Sequence, residues 1–172
     1  MRQWPEEYFG LLLDELIEVE DVHVILIGGP DEVELGVRIL NAIANPKAVW
    51  SLIGRIGLGD LPSLIARCSL FVGNNSGPQH IAAALGVATV GIHSGVVDAR
   101  EWGPKGIHAV AVQRAMICGP CYLSKREDCS RELACLRGLL PADVLQVCRR
   151  LLATAALGLS GAHVKPASTA LD

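Results

Sequence analysis

Short apolar runs that end in glycine-rich turns alternate with helical patterns along this chain, and that alternation limits what it can fold into. Val22 to Ile27 runs into Gly28-Gly29-Pro30, Val49 to Ile53 into Gly54, Ser69 to Val72 into Gly73, and Ala88 to Ile92 into His93-Ser94-Gly95. Near-continuous apolar runs of this kind suit parallel strands covered on both faces. Between them lie helical spacings. Phe9, Leu12, Leu13, Leu16 and Ile17 recur after a Pro5-Glu6-Glu7 start, which places proline and acids at a helix N-terminus. Further helices are expected up to about Ala44, over Leu61 to Cys68, up to Gly86, and over Ala142 to Ala153 behind Pro141. A long loop from His93 to Gly106 and a short strand from His108 to Val112 complete the pattern. The chain therefore reads as α/β, with a mostly parallel sheet and helices on both faces.

Composition is compatible with that reading and excludes several classes. Of the 172 residues 51% are hydrophobic but only 4% aromatic, so the core is filled by Leu, Ile, Val and Ala. The net charge is −3 and no basic stripe is present, which argues against nucleic-acid binding. No apolar run reaches the roughly 18 residues of a membrane span. The start, Met1 to Glu7, lacks the apolar stretch of a signal peptide, which points to a reducing cytosol for the six cysteines. Residues 1–155 are expected to form one domain and residues 156–172 a flexible tail.

Ligands of such sheets sit beyond the carboxyl ends of the strands, where all of these glycine-rich turns fall. The most informative turn is Gly73-Asn74-Asn75-Ser76-Gly77-Pro78-Gln79-His80, which leads into the Ile81-Ala82-Ala83-Ala84-Leu85-Gly86 helix. The first N–H groups of a helix have no intrahelical partner, and the helix dipole adds positive charge there; phosphate suits both. Gly77 lets backbone approach a ligand, and Pro78 fits the first turn without wasting an N–H. Ser76 can cap the helix or donate to a phosphate oxygen. The same residues also make an ordinary capped turn. Neither Gly-x-Gly-x-x-Gly nor a Walker A sequence occurs.

Cys118, Cys121, Cys129 and Cys135 form a second constellation. Four thiolates over so short a stretch can close a tetrahedral zinc site, although the spacing is not that of paired C-x2-C knuckles. Reduced structural thiols and disulfides are the other readings. Cys68 and Cys148 fall within apolar helical patterns and read as core.

Taken in order, Arg2-x-Trp4-Pro5-x-x-x-Phe9, Gly28-Gly29-Pro30-Asp31-Glu32, Leu61-Pro62-x-Leu64-Ile65, Gly73-Asn74-Asn75-Ser76-Gly77-Pro78-x-His80 and Trp102-Gly103-Pro104 resemble glycosyltransferase family nine. Its members are the ADP-heptose:lipopolysaccharide heptosyltransferases and their relatives. The resemblance covers roughly Arg2 to Leu152 and only the C-terminal half of a GT-B enzyme. It implies a Rossmann-like domain that holds the sugar nucleotide. It also implies an acceptor-binding N-terminal half, in cis or trans, that carries the aspartate general base. The strand that usually precedes the Lys/Arg-x-Trp-Pro segment has no counterpart here.

Carried over by position, Arg2 stands where the family has a lysine that neutralises the nucleotide phosphates, and Glu32 matches a carboxylate that accepts ribose hydroxyls. Ser76, Gly77, Pro78 and His80 match the diphosphate cradle. Asn75 replaces a common aspartate, keeping hydrogen-bonding capacity but not charge. The Trp102 loop reads as packing. The resemblance implies transfer from a donor such as ADP-heptose to a lipopolysaccharide-core-type acceptor, with no required cofactor. It leaves the chain alone incomplete and inactive. Two alternatives remain at this stage: a catalytically silent sugar-nucleotide-binding module that needs a partner chain, and a small zinc-stabilised interaction domain.

Overall fold

The computed structural model describes residues 1–156, so the tail expected over 156–172 lies, but for its first residue, outside the described residues. The chain forms two compact units. One is Pro5–Leu61; the other joins Met1–Trp4 to the chain from Pro62 onward.

In the Pro5–Leu61 unit, helix α1 (Glu6–Glu20) starts after Pro5 with Glu6 and Glu7 in its first turn and ends at Asp21 in the left-handed region. Its Leu13 and Ile17 pack with Ile39, Ile43 and Val49 into a core flanked by Phe9, Val24 and Leu26. Strand β1 (Val24–Leu26) leads through a 3-10 turn (Pro30–Glu32) into α2 (Val33–Ala42), and a second 3-10 turn (Pro46–Ala48) leads into β2 (Val49–Ser51). The two strands are parallel, with Val24 opposite Val49 and Leu26 opposite Ser51. Asp14 Oδ1 accepts from the Ala44 N–H at 2.7 Å and so ties α1 to the chain leaving α2. The Glu6–Arg38 pair links the two helices on the surface, where such pairs contribute at most about 1 kcal/mol.

The other unit holds the short helix α3 (Leu61–Ile65) from its second residue. Then follow β3 (Leu70–Asn74), α4 (Gly77–Ala84), β4 (Ala88–His93), α5 (Ala99–Trp102), β5 (Ala109–Gln113), α6 (Ala134–Arg137) and α7 (Pro141–Ala156). The sheet runs β3-β4-β5, all parallel. Every residue of β4 is buried, as a central strand covered on both faces requires. Helices α4 and α7 both pack against β3 and β4. Residues 1–4 are moored to this unit through Trp4, which is fully buried. Its indole Nε1–H donates to Leu139 O and its backbone N–H to Asn74 Oδ1, each at 2.9 Å.

The α/β class and the parallel strands are as expected from the sequence. The hydrogen bonding divides the strands into two sheets, one in each unit, rather than a single sheet. The loop expected from His93 to Gly106 contains α5, nucleated by Asp98, whose carboxylate accepts from the Arg100 N–H. Among the described residues no helix is long and apolar enough to cross a membrane.

Candidate functional site

The turn singled out in the sequence lies where β3 gives way to α4, at the carboxyl edge of its sheet. Ser76 occupies the N-cap position with extended backbone, and Pro78 sits in the first turn. The sequence allowed Ser76 to cap the helix, but its hydroxyl donates instead to Asn74 O at 3.2 Å, and no side chain caps α4. The first-turn N–H groups are thus left for something other than a protein side chain. Ser76, Gly77 and His80 are exposed and Pro78 is partly so. A Cβ built on Gly77 would meet nothing within 4 Å.

Behind this surface is a buried polar network. Gln79, fully buried, donates from Nε2 to Asn75 Oδ1 at 2.8 Å and to the Trp102 carbonyl at 3.3 Å. The Trp102 carbonyl can only accept, which fixes the amide's orientation and turns Gln79 Oε1 toward His93 Nε2 at 3.2 Å. His93 must then carry its proton on Nε2, an assignment made from the network. Gln79 Nε2 also lies 3.3 Å from His80 Nε2, but its two N–H groups are already given to Asn75 Oδ1 and the Trp102 carbonyl. Asn75 and His93 are both buried, and Asn75 Nδ2 and His93 Nδ1 have no hydrogen-bond partner. Burial pushes the His93 pKa down to about 4, helped by the charges of His80 and Arg2. His93 is therefore neutral at pH 7.

Asn75, Ser76, Gly77, Pro78 and His80 follow one another around the start of α4, and Arg2 is two residues from Trp4, whose N–H is held by Asn74 at the end of β3. Asn75 differs in kind from the rest: its side chain is buried and its carbonyl serves Gln79. Glu32 belongs to the Pro5–Leu61 unit, where its carboxylate accepts from the Gly29 N–H at 2.8 Å and its own N–H donates back to Gly29 O. The Trp102 loop packs as expected at Gly103 and Pro104, which are buried, while the Trp102 side chain is half-exposed.

Sequence reading missed Gln79 and His93. The available signal was Gly91, a glycine inside an otherwise apolar strand, where close approach of another group is the usual reason. A Cβ there would overlap Gln79 Oε1 and stand 3.2 Å from His93 Nε2.

The four clustered cysteines line a cavity of about 20 Å³ beside Gly95 and Val96. Among the described residues, no three His, Cys, Asp or Glu side chains converge as a metal-binding group. All six cysteines are free. Backbone N–H groups of Leu133 and Arg131, with the Arg131 charge, hold the Cys129 pKa below the usual thiol range, whereas burial pushes that of Cys148 up to about 12. Cys148 is core, as its apolar helical pattern suggests; Cys68 is only half-buried.

Comparison with known proteins places this geometry. The profile of glycosyltransferase family 9 (heptosyltransferase) matches residues 1–131. Lipopolysaccharide heptosyltransferase 2 of Escherichia coli strain K12 is 29% identical over 153 residues, covering 88% of this chain and 43% of that protein. The solved structure of E. coli ADP-heptose lps heptosyltransferase II superposes with a TM-score of 0.75 at 26% identity, over 90% of this chain and 43% of the other. E. coli heptosyltransferase WaaC with ADP shares the fold, with a TM-score of 0.66 at 21% identity, over 87% of this chain and 40% of that one. The chain thus spans less than half the length of the relatives it matches.

Proposed function

The chain belongs to glycosyltransferase family 9, and from that premise we propose that it acts as the donor half of a heptosyltransferase-type enzyme, binding a sugar nucleotide such as ADP-heptose with its diphosphate at the start of α4. One observation carries this reading. Gly77 is a glycine that the protein's own packing does not need: its φ is not in the left-handed region and nothing lies where a side chain would go. Close approach of a ligand to the helix N-terminus accounts for it. The E. coli relative solved with ADP makes ADP the natural probe.

In transfer, the bond between the anomeric carbon and the β-phosphate oxygen breaks as the acceptor hydroxyl attacks. Negative charge then grows on the departing diphosphate. The α4 N–H groups are fixed beforehand by the helix and are the effective donors to that charge; Ser76, Arg2 and the exposed edge of His80 are assigned to it as well, the Ser76 hydroxyl turning from Asn74 O to the phosphate. Glu32 is assigned to the ribose hydroxyls. The acceptor proton goes to a general base on an N-terminal half, in cis or trans, which also holds a lipopolysaccharide-core-type acceptor.

Calorimetry with ADP tests the placement. Gly77→Val is expected to abolish measurable binding without unfolding the chain, because the added side chain enters open space. Ser76→Ala should weaken binding by about 1 kcal/mol, the usual worth of one hydrogen bond. With a radiolabelled donor and a lipopolysaccharide-core acceptor, the 172-residue chain alone is expected to show no turnover above background. Equal ADP affinity in the wild type and Gly77→Val would refute the placement.

A further inference from the structure

A second binding feature opens off the same sheet, apart from the start of α4. An open hollow of about 520 Å³ is lined by Arg114, Arg131 and Arg137 together with Met116, Ser130, Glu132 and Gly138. Arg114 directly follows β5, so the hollow lies at the carboxyl edge, two strands along from β3. At about 4.8 Å between strands, that is a lateral step of roughly 10 Å.

The charge in the hollow is unbalanced. Arg137 pairs with Glu132 at 3.3 Å, while neither Arg114 nor Arg131 pairs with a carboxylate among the described residues. Among the described residues Arg114 and Arg131 thus bring two guanidinium groups without a carboxylate partner to the hollow, in a protein whose net charge is −3. General electrostatics would not draw an anion to such a protein; a local arrangement would.

Arg114 is also held in place rather than left to sweep through solvent. Its Nη1 donates to Gly138 O at 2.8 Å, at the C-terminal end of α6. The guanidinium lies directly against Gly138. A Cβ on that residue would overlap Arg114 Nη1 and also press on Ala134 O at 2.9 Å. The Gly138 backbone is right-handed, with φ −90° and ψ −2°, a conformation open to any residue. The constraint on a side chain there is the Ala134 carbonyl, since the Arg114 tip could swing aside, and not dihedral freedom. The bond to Gly138 O uses one of the five guanidinium N–H donors, and the planar fork that remains suits the paired oxygens of a phosphate.

We propose that this hollow is a phosphate-binding site, distinct from the diphosphate cradle at α4, which takes a phosphate group either free or carried on a sugar. Arg114 is its fixed anchor, and Arg131 closes on the anion from the opposite segment of chain. The proposal stands on the hollow's own residues and does not depend on the reading of Gly77.

The test is a 1H–15N NMR titration of the full chain at constant ionic strength, with inorganic phosphate, with glucose 6-phosphate, and with glucose as the uncharged control. Saturable shifts are expected at the amides of Arg114, Met116, Glu132 and Gly138 with both phosphates and not with glucose. The double variant Arg114→Gln/Arg131→Gln should lower the affinity at these amides at least tenfold, while Arg67→Gln, an exposed arginine elsewhere in the unit, should leave it unchanged. Tighter binding of glucose 6-phosphate than of inorganic phosphate supports a sugar-borne phosphate, and equal binding supports the isolated group. In Gly77→Val the shifts at the hollow should persist even though those around Ser76 are lost, so the two sites fail separately. Absence of saturable shifts at the hollow, or shifts that survive the double arginine variant, would overturn the proposal.

Discussion

Acidification should destabilise this fold through His93 in a window that no surface group shares in the same way. His93 is fully buried, has one ring nitrogen committed to Gln79 and the other without a partner, and lies in the field of Arg2 and His80. Protonation would put a cation where no acceptor waits, and its pKa falls from 6.5 to about 4. Between those values the unfolded chain binds a proton that the folded chain refuses, so stability rises with pH. His93's contribution is complete above pH 6.5 and is lost as the pH falls toward 4. At about 1.4 kcal/mol per pH unit across that window, the loss is about 3 kcal/mol by pH 4. Glu6 and Asp98, whose pKa values are lowered by Arg38 and Arg100, act in the same direction at lower pH. A difference measurement therefore isolates His93. Urea unfolding of wild type and His93→Asn from pH 7.5 to 4 gives it: asparagine keeps a donor toward Gln79 but does not titrate. The wild-type curve should fall below the variant's slope by about 3 kcal/mol over the window. Parallel curves would show that His93 is either accessible to water or already charged, and the network as drawn would be wrong.

Two shorter predictions follow. Gly91→Ala should destabilise the fold by roughly 1–3 kcal/mol in urea unfolding, as overpacking of a fixed interior does, because its Cβ would overlap Gln79 Oε1; unchanged stability would mean that Gln79 can move away freely. Iodoacetamide at pH 7, mapped by mass spectrometry, should alkylate Cys129, whose thiolate is favoured by neighbouring N–H groups and Arg131, and should spare Cys148 until the chain unfolds; early labelling of Cys148 would contradict its burial.

The strand and helix order was readable because burial imposes a period on the chain, and every strand that carries the site announces itself as an apolar run. What the period does not encode is pairing. The division of the strands into β1-β2 and β3-β4-β5 is a matter of which backbone groups meet, and apolar runs look alike whichever neighbour they take. Helix α5 escaped for a different reason: four residues are too few to show a period, and its signal is the single cap at Asp98. At the site, Ser76, Gly77 and His80 were legible because a strand–loop–helix junction has a local signature. The Gln79–His93 pair was not, since its members are 14 residues apart and Gln79 sits unremarked within an apolar helix.

Three glycines show where such local reading stops. None of Gly77, Gly91 and Gly138 has positive φ, so the conformational reason for glycine applies to none of them. Gly91 is small because a buried amide and imidazole occupy the space above it. Gly138 is small because the Ala134 carbonyl leaves little room for a Cβ, and the Arg114 tip lies in the space that remains. Gly77 has no protein atom within reach of a side chain at all. In sequence Gly77 stands out by its strand–loop–helix junction and Gly91 by interrupting an apolar strand, whereas Gly138 carries no such signal. In the folded chain Gly91 serves the core, Gly138 makes room for a helix carbonyl and the Arg114 tip, and Gly77 answers to no packing demand. Gly59 is equally open, with nothing within 4 Å of a built Cβ, so open space alone marks no ligand; Gly77 differs in standing at the uncapped start of α4, and this is why that position, rather than the more crowded interior behind it, carries the functional assignment.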